Sequence, residues 1–189
     1  VSIAGEFVYI LGDAGFSILR RALPDPPLVR LERVAQIPGT EQGLQGDLAV
    51  QGKYVYWSLA GQLRVIDVAE PSEPRVVGTL EVDGLSDAVS VSGRYAYVGK
   101  GRRLLVVDIS EPGALRIAGS CDLVFGGAAI QGQYAYATDR GSVSVIDVAD
   151  PAAPREVGRG AVECGGEGIT VAGKYAYLPC NDHGMHIVD

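Results

Sequence analysis

An all-β fold of about five repeated units, each of four short antiparallel strands, is predicted by three observations. The first is a recurring segment. Ser90-Val-Ser-Gly-Arg-Tyr-Ala-Tyr97 has near-copies in Ala49-Val-Gln-Gly-Lys-Tyr-Val-Tyr56, Ala129-Ile-Gln-Gly-Gln-Tyr-Ala-Tyr136 and Thr170-Val-Ala-Gly-Lys-Tyr-Ala-Tyr177, and a worn copy opens the chain at Ser2-Ile-Ala-Gly-Glu-Phe-Val-Tyr9. The second is the period: Gly5, Gly52, Gly93, Gly132 and Gly173 stand 47, 41, 39 and 41 residues apart. The third is the alternation of apolar and polar residues between Gly and Pro turns, with none of the three-and-four apolar spacing a helical repeat needs. A period near forty built from such short strands fits a propeller blade. The prediction is a single β-propeller domain, or an open propeller arc or fragment of one, with repeats at roughly 1–46, 47–86, 87–126, 127–167 and 168–189 and the last incomplete.

Each element follows from local residue choice. In the third repeat, strand a covers 87–92 and Gly93-Arg94 makes a tight turn, where glycine is free to take positive φ. Strand b covers 95–99, with Tyr95 and Tyr97 on one face and Ala96 and Val98 on the other. A loop over 100–103 leads to strand c, Leu104 to Ile109, and the Glu111-Pro112 turn leads to strand d near 116–121. The other strands c are Leu63-Arg-Val-Ile-Asp-Val68, Val143-Ser-Val-Ile-Asp-Val148 and Met185-His-Ile-Val-Asp189. The first repeat is degenerate: Phe7 replaces the first tyrosine, and Arg20 stands where later repeats carry Asp67, Asp108 and Asp147. The stretch 38–46 is the longest insertion and accounts for the 47-residue interval. The sequence starts inside one repeat at Val1 and stops inside another at Asp189, which reads as a piece of a longer propeller; a three-stranded last blade, or one completed by another chain, are the alternatives.

Repetition argues that the commonest polar residues are structural. Asp67, Asp108, Asp147 and Asp189 each end a strand c, where an aspartate accepts backbone N–H groups of the following turn. A ring of cation ligands is the alternative for these acids. Tyr54, Tyr56, Tyr95, Tyr97, Tyr134, Tyr136, Tyr175 and Tyr177 fall on one face of successive strands b and suit packing between blades, with a carbohydrate-stacking surface as the alternative. Trp57 breaks the pattern and marks either an exposed contact or a larger core residue.

The segments Leu63–Val68, Leu105–Ile109 and Val143–Val148, each after a Tyr-x-Tyr strand and before Pro-x-x-Pro or its variant, resemble the LVIVD repeat. That resemblance implies a β-propeller of bacterial or archaeal origin, often secreted or attached to the cell surface. Arg20, and Gly113-Ala-Leu115 in place of a second proline, depart from the pattern.

The composition narrows the partners. A formal charge of −7, with no basic run, opposes a nucleic-acid backbone or an anionic membrane as partner, and no apolar segment is long enough to insert in a bilayer as a helix. No P-loop, dinucleotide fingerprint, Gly-x-Ser-x-Gly elbow or His-Glu-x-x-His occurs, so no catalytic constellation is assigned. The glycine pairs 126–127 and 165–166 lead into strands rather than helices, and turn geometry explains them.

Function is expected in the loops that do not repeat. The d-to-a and b-to-c loops share one rim and carry the variation, at 13–16, 38–47, 83–87, 100–103, 125–127, 139–140, 163–168 and 180–184. On that rim Cys164 neighbours Cys180-Asn-Asp-His183 and His186, and Cys164, Cys180, His183 and His186 make four possible ligands for zinc or copper. A Cys164–Cys180 disulfide, leaving Cys121 unpaired, and unlinked thiols are the competing readings of three cysteines. The expectation is a non-catalytic binding or scaffold module meeting a protein or glycan through this rim. A metal-binding protein or enzyme at Cys164, Cys180 and His183 is the alternative. Open strand edges offer a further route, self-association.

Overall fold

The computed structural model describes residues 2–12, 15–22, 30–38, 46–59, 61–82, 85–100, 102–123, 127–139, 141–162, 168–180 and 184–189. It is an all-β propeller of five blades, each an antiparallel sheet with strands in chain order. Blade 1 holds β1 (Ser2–Ala4), β2 (Phe7–Gly12), β3 (Gly15–Ala22) and β4 (Arg30–Ile37). Blade 2 holds β5 (Gly46–Gln51), β6 (Tyr54–Leu59), β7 (Gln62–Asp67) and β8 (Arg75–Glu81). Blade 3 holds β9 (Leu85–Ser92), β10 (Tyr95–Lys100), β11 (Arg103–Asp108) and β12 (Arg116–Asp122). Blade 4 holds β13 (Gly127–Gln131), β14 (Tyr134–Asp139), β15 (Ser142–Asp147) and β16 (Arg155–Ala161). Blade 5 has three strands, β17 (Thr170–Ala172), β18 (Tyr175–Cys180) and β19 (Gly184–Val188).

The first strands of successive blades touch in the order β1, β5, β9, β13, β17, so they lie innermost and the fourth strands outermost. The worn first repeat forms a full four-stranded blade, because the alternation that builds its sheet survives the loss of its polar markers. The third blade's b and c strands run to Lys100 and from Arg103, narrowing the loop read at 100–103.

Three apolar clusters join neighbouring blades 1 to 4, and a fourth joins blades 4 and 5. The Tyr-x-Tyr face of a blade meets the opposite face of the next one. Tyr56, Leu63 and Val65 of blade 2 pack on Ala96, Val98, Leu105 and Val107 of blade 3. Tyr97, Leu104 and Val106 pack in turn on Ala135, Ala137 and Ile146. The small alanines facing Tyr56 and Tyr97, Ala96 and Ala135, leave room for the sheets to approach. Trp57 resolves as a core residue, 0% exposed, on the face of blade 2 that meets Phe16 and Ile18 of blade 1.

Each strand d carries a bulge against its strand c, with register shifts at Ile18/Leu19, Val65/Ile66, Val106/Val107 and Val145/Ile146. Beside the bulge, opposite Val65, Val106 and Val145, stand Gly78, Gly119 and Gly158. A Cβ at Gly78 would collide with the carbonyl oxygen of Pro112, and one at Gly119 with Pro151 and with the Ala152 carbonyl carbon at 2.7 Å. The proline corners of blades 3 and 4 are thus seated on strand d of the blade before, at Gly78 and Gly119. Only a residue without a side chain leaves room.

Candidate functional site

The two rims are built differently. On the corner rim, Gly52, Gly93, Gly132 and Gly173 turn strand a into strand b with φ between +58° and +61°. The residue after the glycine lies over the first tyrosine of its blade and reaches the aspartate that ends strand c. Lys53 Nζ is 5.1 Å from the Tyr54 ring centre and 3.1 Å from Asp67. Arg94 is 5.4 Å from the Tyr95 ring and 2.7 Å from Asp108. Lys174 is 4.8 Å from the Tyr175 ring and 2.6 Å from Asp189. Blade 4 has Gln133 here, bonded to the Tyr134 hydroxyl at 3.0 Å, and Arg155 reaches Asp147 at 3.2 Å instead. In blade 1 the charges are exchanged: Glu6 takes the cation's place, and Arg20 approaches from strand c to within 5.4 Å of the Phe7 ring. The departure at Arg20 therefore keeps the cation over the aromatic ring and reverses where it comes from.

The aspartates also bind backbone. The N–H groups of Ala69, Ser110 and Ala149 donate to Asp67, Asp108 and Asp147 at 2.9, 3.0 and 3.0 Å. These bonds hold the carboxyls below their ordinary range. For Asp67 and Asp147 the backbone bond is the leading cause, followed by Lys53 and Arg155. For Asp108 the Arg94 bond leads, followed by Ser110. One residue past each aspartate, a further bond fixes the strand end: the N–H groups of Val68, Ile109 and Val148 donate to the carbonyls of Lys53, Arg94 and Gln133 at 2.9 Å each. On this rim the repeated acids are committed to their own corners.

On the opposite rim, Val82, Leu123 and Val162 at the ends of strands d donate to the carbonyls of Gly61, Arg102 and Gly141 in the b–c turns, at 2.7, 2.8 and 2.9 Å. These bonds bring the d–a and b–c loops of one blade together. The flanking side chains pair locally, Gln62 with Glu81 at 2.8 Å and Arg103 with Asp122 at 2.8 Å. Arg64 donates to Gln62 at 2.8 Å and lies 5.8 Å from the Trp57 ring. Nearer the axis, Asp47 accepts the N–H of Leu48 at 2.8 Å and that of Val89 at 3.2 Å, tying blade 2 to blade 3. Most of the variable loops singled out in the sequence, at 13–14, 39–45, 83–84, 101, 124–126, 140, 163–167 and 181–183, lie outside the described residues.

The cysteines and histidines divide in the same way. Cys164 and His183 lie outside the described residues. Cys180 is buried at the end of β18 and disulfide-bonded, its Sγ 3.4 Å from the Leu178 carbonyl oxygen. A sulfur in that state has no thiolate to offer a metal ion. His186 is half-buried on β19, opposite Leu178. Among the described residues no group of three or more His, Cys, Asp or Glu is spaced to hold a metal ion. Cys121 is a free, half-buried thiol on β12, and burial followed by the charges of Glu156 and Asp122 pushes its pKa up, away from nucleophilic use.

Comparison with known proteins places this geometry. The propeller of BamB from Moraxella catarrhalis superposes with a TM-score of 0.70 at 16% identity, over 99% of this chain and 55% of that one. A functionally unknown protein from Desulfotomaculum acetoxidans gives 0.78 at 10% identity, over 96% and 64%. A protein from Lactobacillus plantarum gives 0.75 at 13% identity, over 96% and 63%. At these identities the likeness is one of fold, and the chain spans between 55% and 64% of the length of these three. A search of the curated proteins found no match. The family model for the LVIVD repeat matches residues 42–82, 83–123, 127–161 and 166–189, leaving out the first 41 residues, which hold the blade whose charges are exchanged, and two short joins. With four of its five blades matched by that model, the chain belongs to the LVIVD repeat family.

Proposed function

We propose that this propeller is a non-catalytic binding and scaffold module that meets a protein or glycan partner through the rim of d–a and b–c loops, in an extracytoplasmic setting. The observation that carries this reading is the difference between the rims. The corner rim repeats one polar arrangement and uses its acids internally, whereas the other rim gathers, blade by blade, the loops whose sequences differ. A rigid scaffold that displays variable loops from one edge is how propellers and other repeat folds present recognition surfaces. The disulfide at Cys180 supports an oxidising compartment, where such bonds persist.

Affinity capture from the source organism tests this with three immobilised chains. The native chain should retain a partner. A chain with residues 39–45 and 165–167 replaced by Gly-Ser of equal length, Cys164 being kept, should lose it, and Arg94→Gln, altered on the corner rim alone, should keep it. Glycan arrays probed with the same three chains resolve the chemical class. Equal retention by the loop-replaced chain would sink the assignment of this rim.

A further inference from the structure

One turn on the variable rim carries the opposite charge from the rest of the chain. Acids outnumber bases, 23 to 16, yet three cations fall within the short stretch Lys100-Gly-Arg-Arg103. This is the b–c turn of blade 3, and Lys100 at the end of β10 stands directly opposite Arg103 at the start of β11. Like charges directly opposite on paired strands are destabilising, and Arg102 adds a third beside them. The other blades avoid this at the same place: Gly12 stands opposite Gly15, Leu59 opposite Gln62, Asp139 opposite Ser142 and Cys180 opposite Gly184. A local rule broken in one blade, on the rim where the sequences differ, marks a place where stability gives way to another use.

The turn is also built to present its charge. Arg102 is exposed, and its backbone is fixed because its carbonyl oxygen accepts the N–H of Leu123 at 2.8 Å. Among the described residues it makes no ion pair. Arg103 reaches Asp122 at 2.8 Å, but the two side chains are 57% and 81% exposed, so the pair offsets little of the repulsion. Three cations are too few to hold a nucleic-acid backbone. An extended polyanion would run on to Asp47 and Glu81 of blade 2 on the same rim, and would meet a chain of net charge −7. A few carboxylates close together fit better, because guanidinium groups bind carboxylates through paired, parallel hydrogen bonds. On the reading of this rim as the partner face, we propose that the b–c turn of blade 3 docks a short acidic segment of the partner protein, rich in Asp or Glu.

The probe is capped tri-glutamate, added to the isotope-labelled 189-residue chain and followed by NMR. Saturable shifts are expected at the amides of Arg102, Arg103 and Leu123 with a Kd of about 1 mM, and none with capped tri-glutamine. Added salt should weaken the binding severalfold. Arg102→Gln should weaken it about three- to fivefold, the effect of losing one exposed charged contact. Lys100→Gln should also weaken it, while raising the chain's own thermal midpoint by about 1–2 °C at low salt, since it removes the like-charge pair. The proposal is overturned if the shifts scatter over all surface cations, or if Arg102→Gln binds like the native chain. It is equally overturned if Lys100→Gln lowers the midpoint, or if tri-galacturonate binds at these amides as tightly as tri-glutamate, which would make the ligand an acidic glycan. Partner capture separates this site from the rim as a whole. Capture lost on replacing the two loops but unchanged in Arg102→Glu would leave the rim assigned and this docking overturned. Capture kept by the loop-replaced chain, with tri-glutamate still saturating this turn, would sink the assignment of those loops and leave the carboxylate site standing.

Discussion

Blades 3 and 5 are written in nearly the same residues and end in opposite states. Tyr97 of blade 3 is 4% exposed and Leu104 to Val107 are all buried, because blades 2 and 4 cover both faces of that sheet. In blade 5 only the face bearing Ala176, Leu178 and Cys180 is covered, and Met185 and Ile187 on the other are 59% and 57% exposed. The repeat therefore does not contain its own core. It contains two halves of two different cores, and the stability of a blade is mostly the stability of its contacts with neighbours.

That comparison can be broken most forcefully by removing the same side chain from both blades. Tyr97→Ala should destabilise by about 3–5 kcal/mol, the range for a buried large aromatic, and Tyr177→Ala by less than half as much, measured by denaturant unfolding. Similar values for the two would mean the open face of blade 5 is covered in solution. The glycine notches give the next largest contrast. Gly119→Ala should cost about 1–3 kcal/mol by pushing out the corner of Pro151. Gly158→Ala should be neutral or stabilise by about 0.4–1 kcal/mol, since nothing crowds it and the unfolded chain loses freedom.

A pH titration sharpens the same point at smaller scale. The folded carboxyls of Asp67, Asp108 and Asp147 lie below their unfolded value, so their stabilisation is complete above about pH 4 and is lost as pH falls from there toward their folded values. Changing all three to Asn should lower stability at neutral pH and flatten the acid limb of the unfolding midpoint against pH. A limb of unchanged steepness would place the acid sensitivity elsewhere. The smallest effect is expected at Arg103, whose pair with Asp122 is exposed on both sides: Arg103→Ala should change stability by no more than about 0.5 kcal/mol.

Much of this architecture is legible in the residues that repeat. The tyrosine pairs, the turn glycines and the strand-ending aspartates recur at forty-residue intervals, and a period is a strong signal that needs no partner to be seen. The glycine notch was legible too: Gly78, Gly119 and Gly158 each stand eleven residues beyond Asp67, Asp108 and Asp147, but nothing in one repeat says that the corner of another will land there. The cation over the first tyrosine escapes a pattern search for a different reason. Lys53, Arg94, Gln133 and Lys174 share a place but not a chemistry, and blade 1 fills the arrangement from the opposite strand with Arg20. The soft-ligand cluster rests on Cys164 and His183, in loops without a repeating counterpart, where sequence proximity is the only guide and strand geometry gives no constraint.

The seating of the Pro112 and Pro151 corners on Gly78 and Gly119 of the preceding blades has a consequence for how such chains grow. A segment of one period carries a corner at one place and a notch at another, so a tandem duplication delivers a matched joint at both of its seams. Gene copying in whole periods leaves every junction intact, while an insertion of any other length inside strand d would part a corner from its notch. A whole period is therefore the unit of length change that keeps the joints at Gly78 and Gly119 matched.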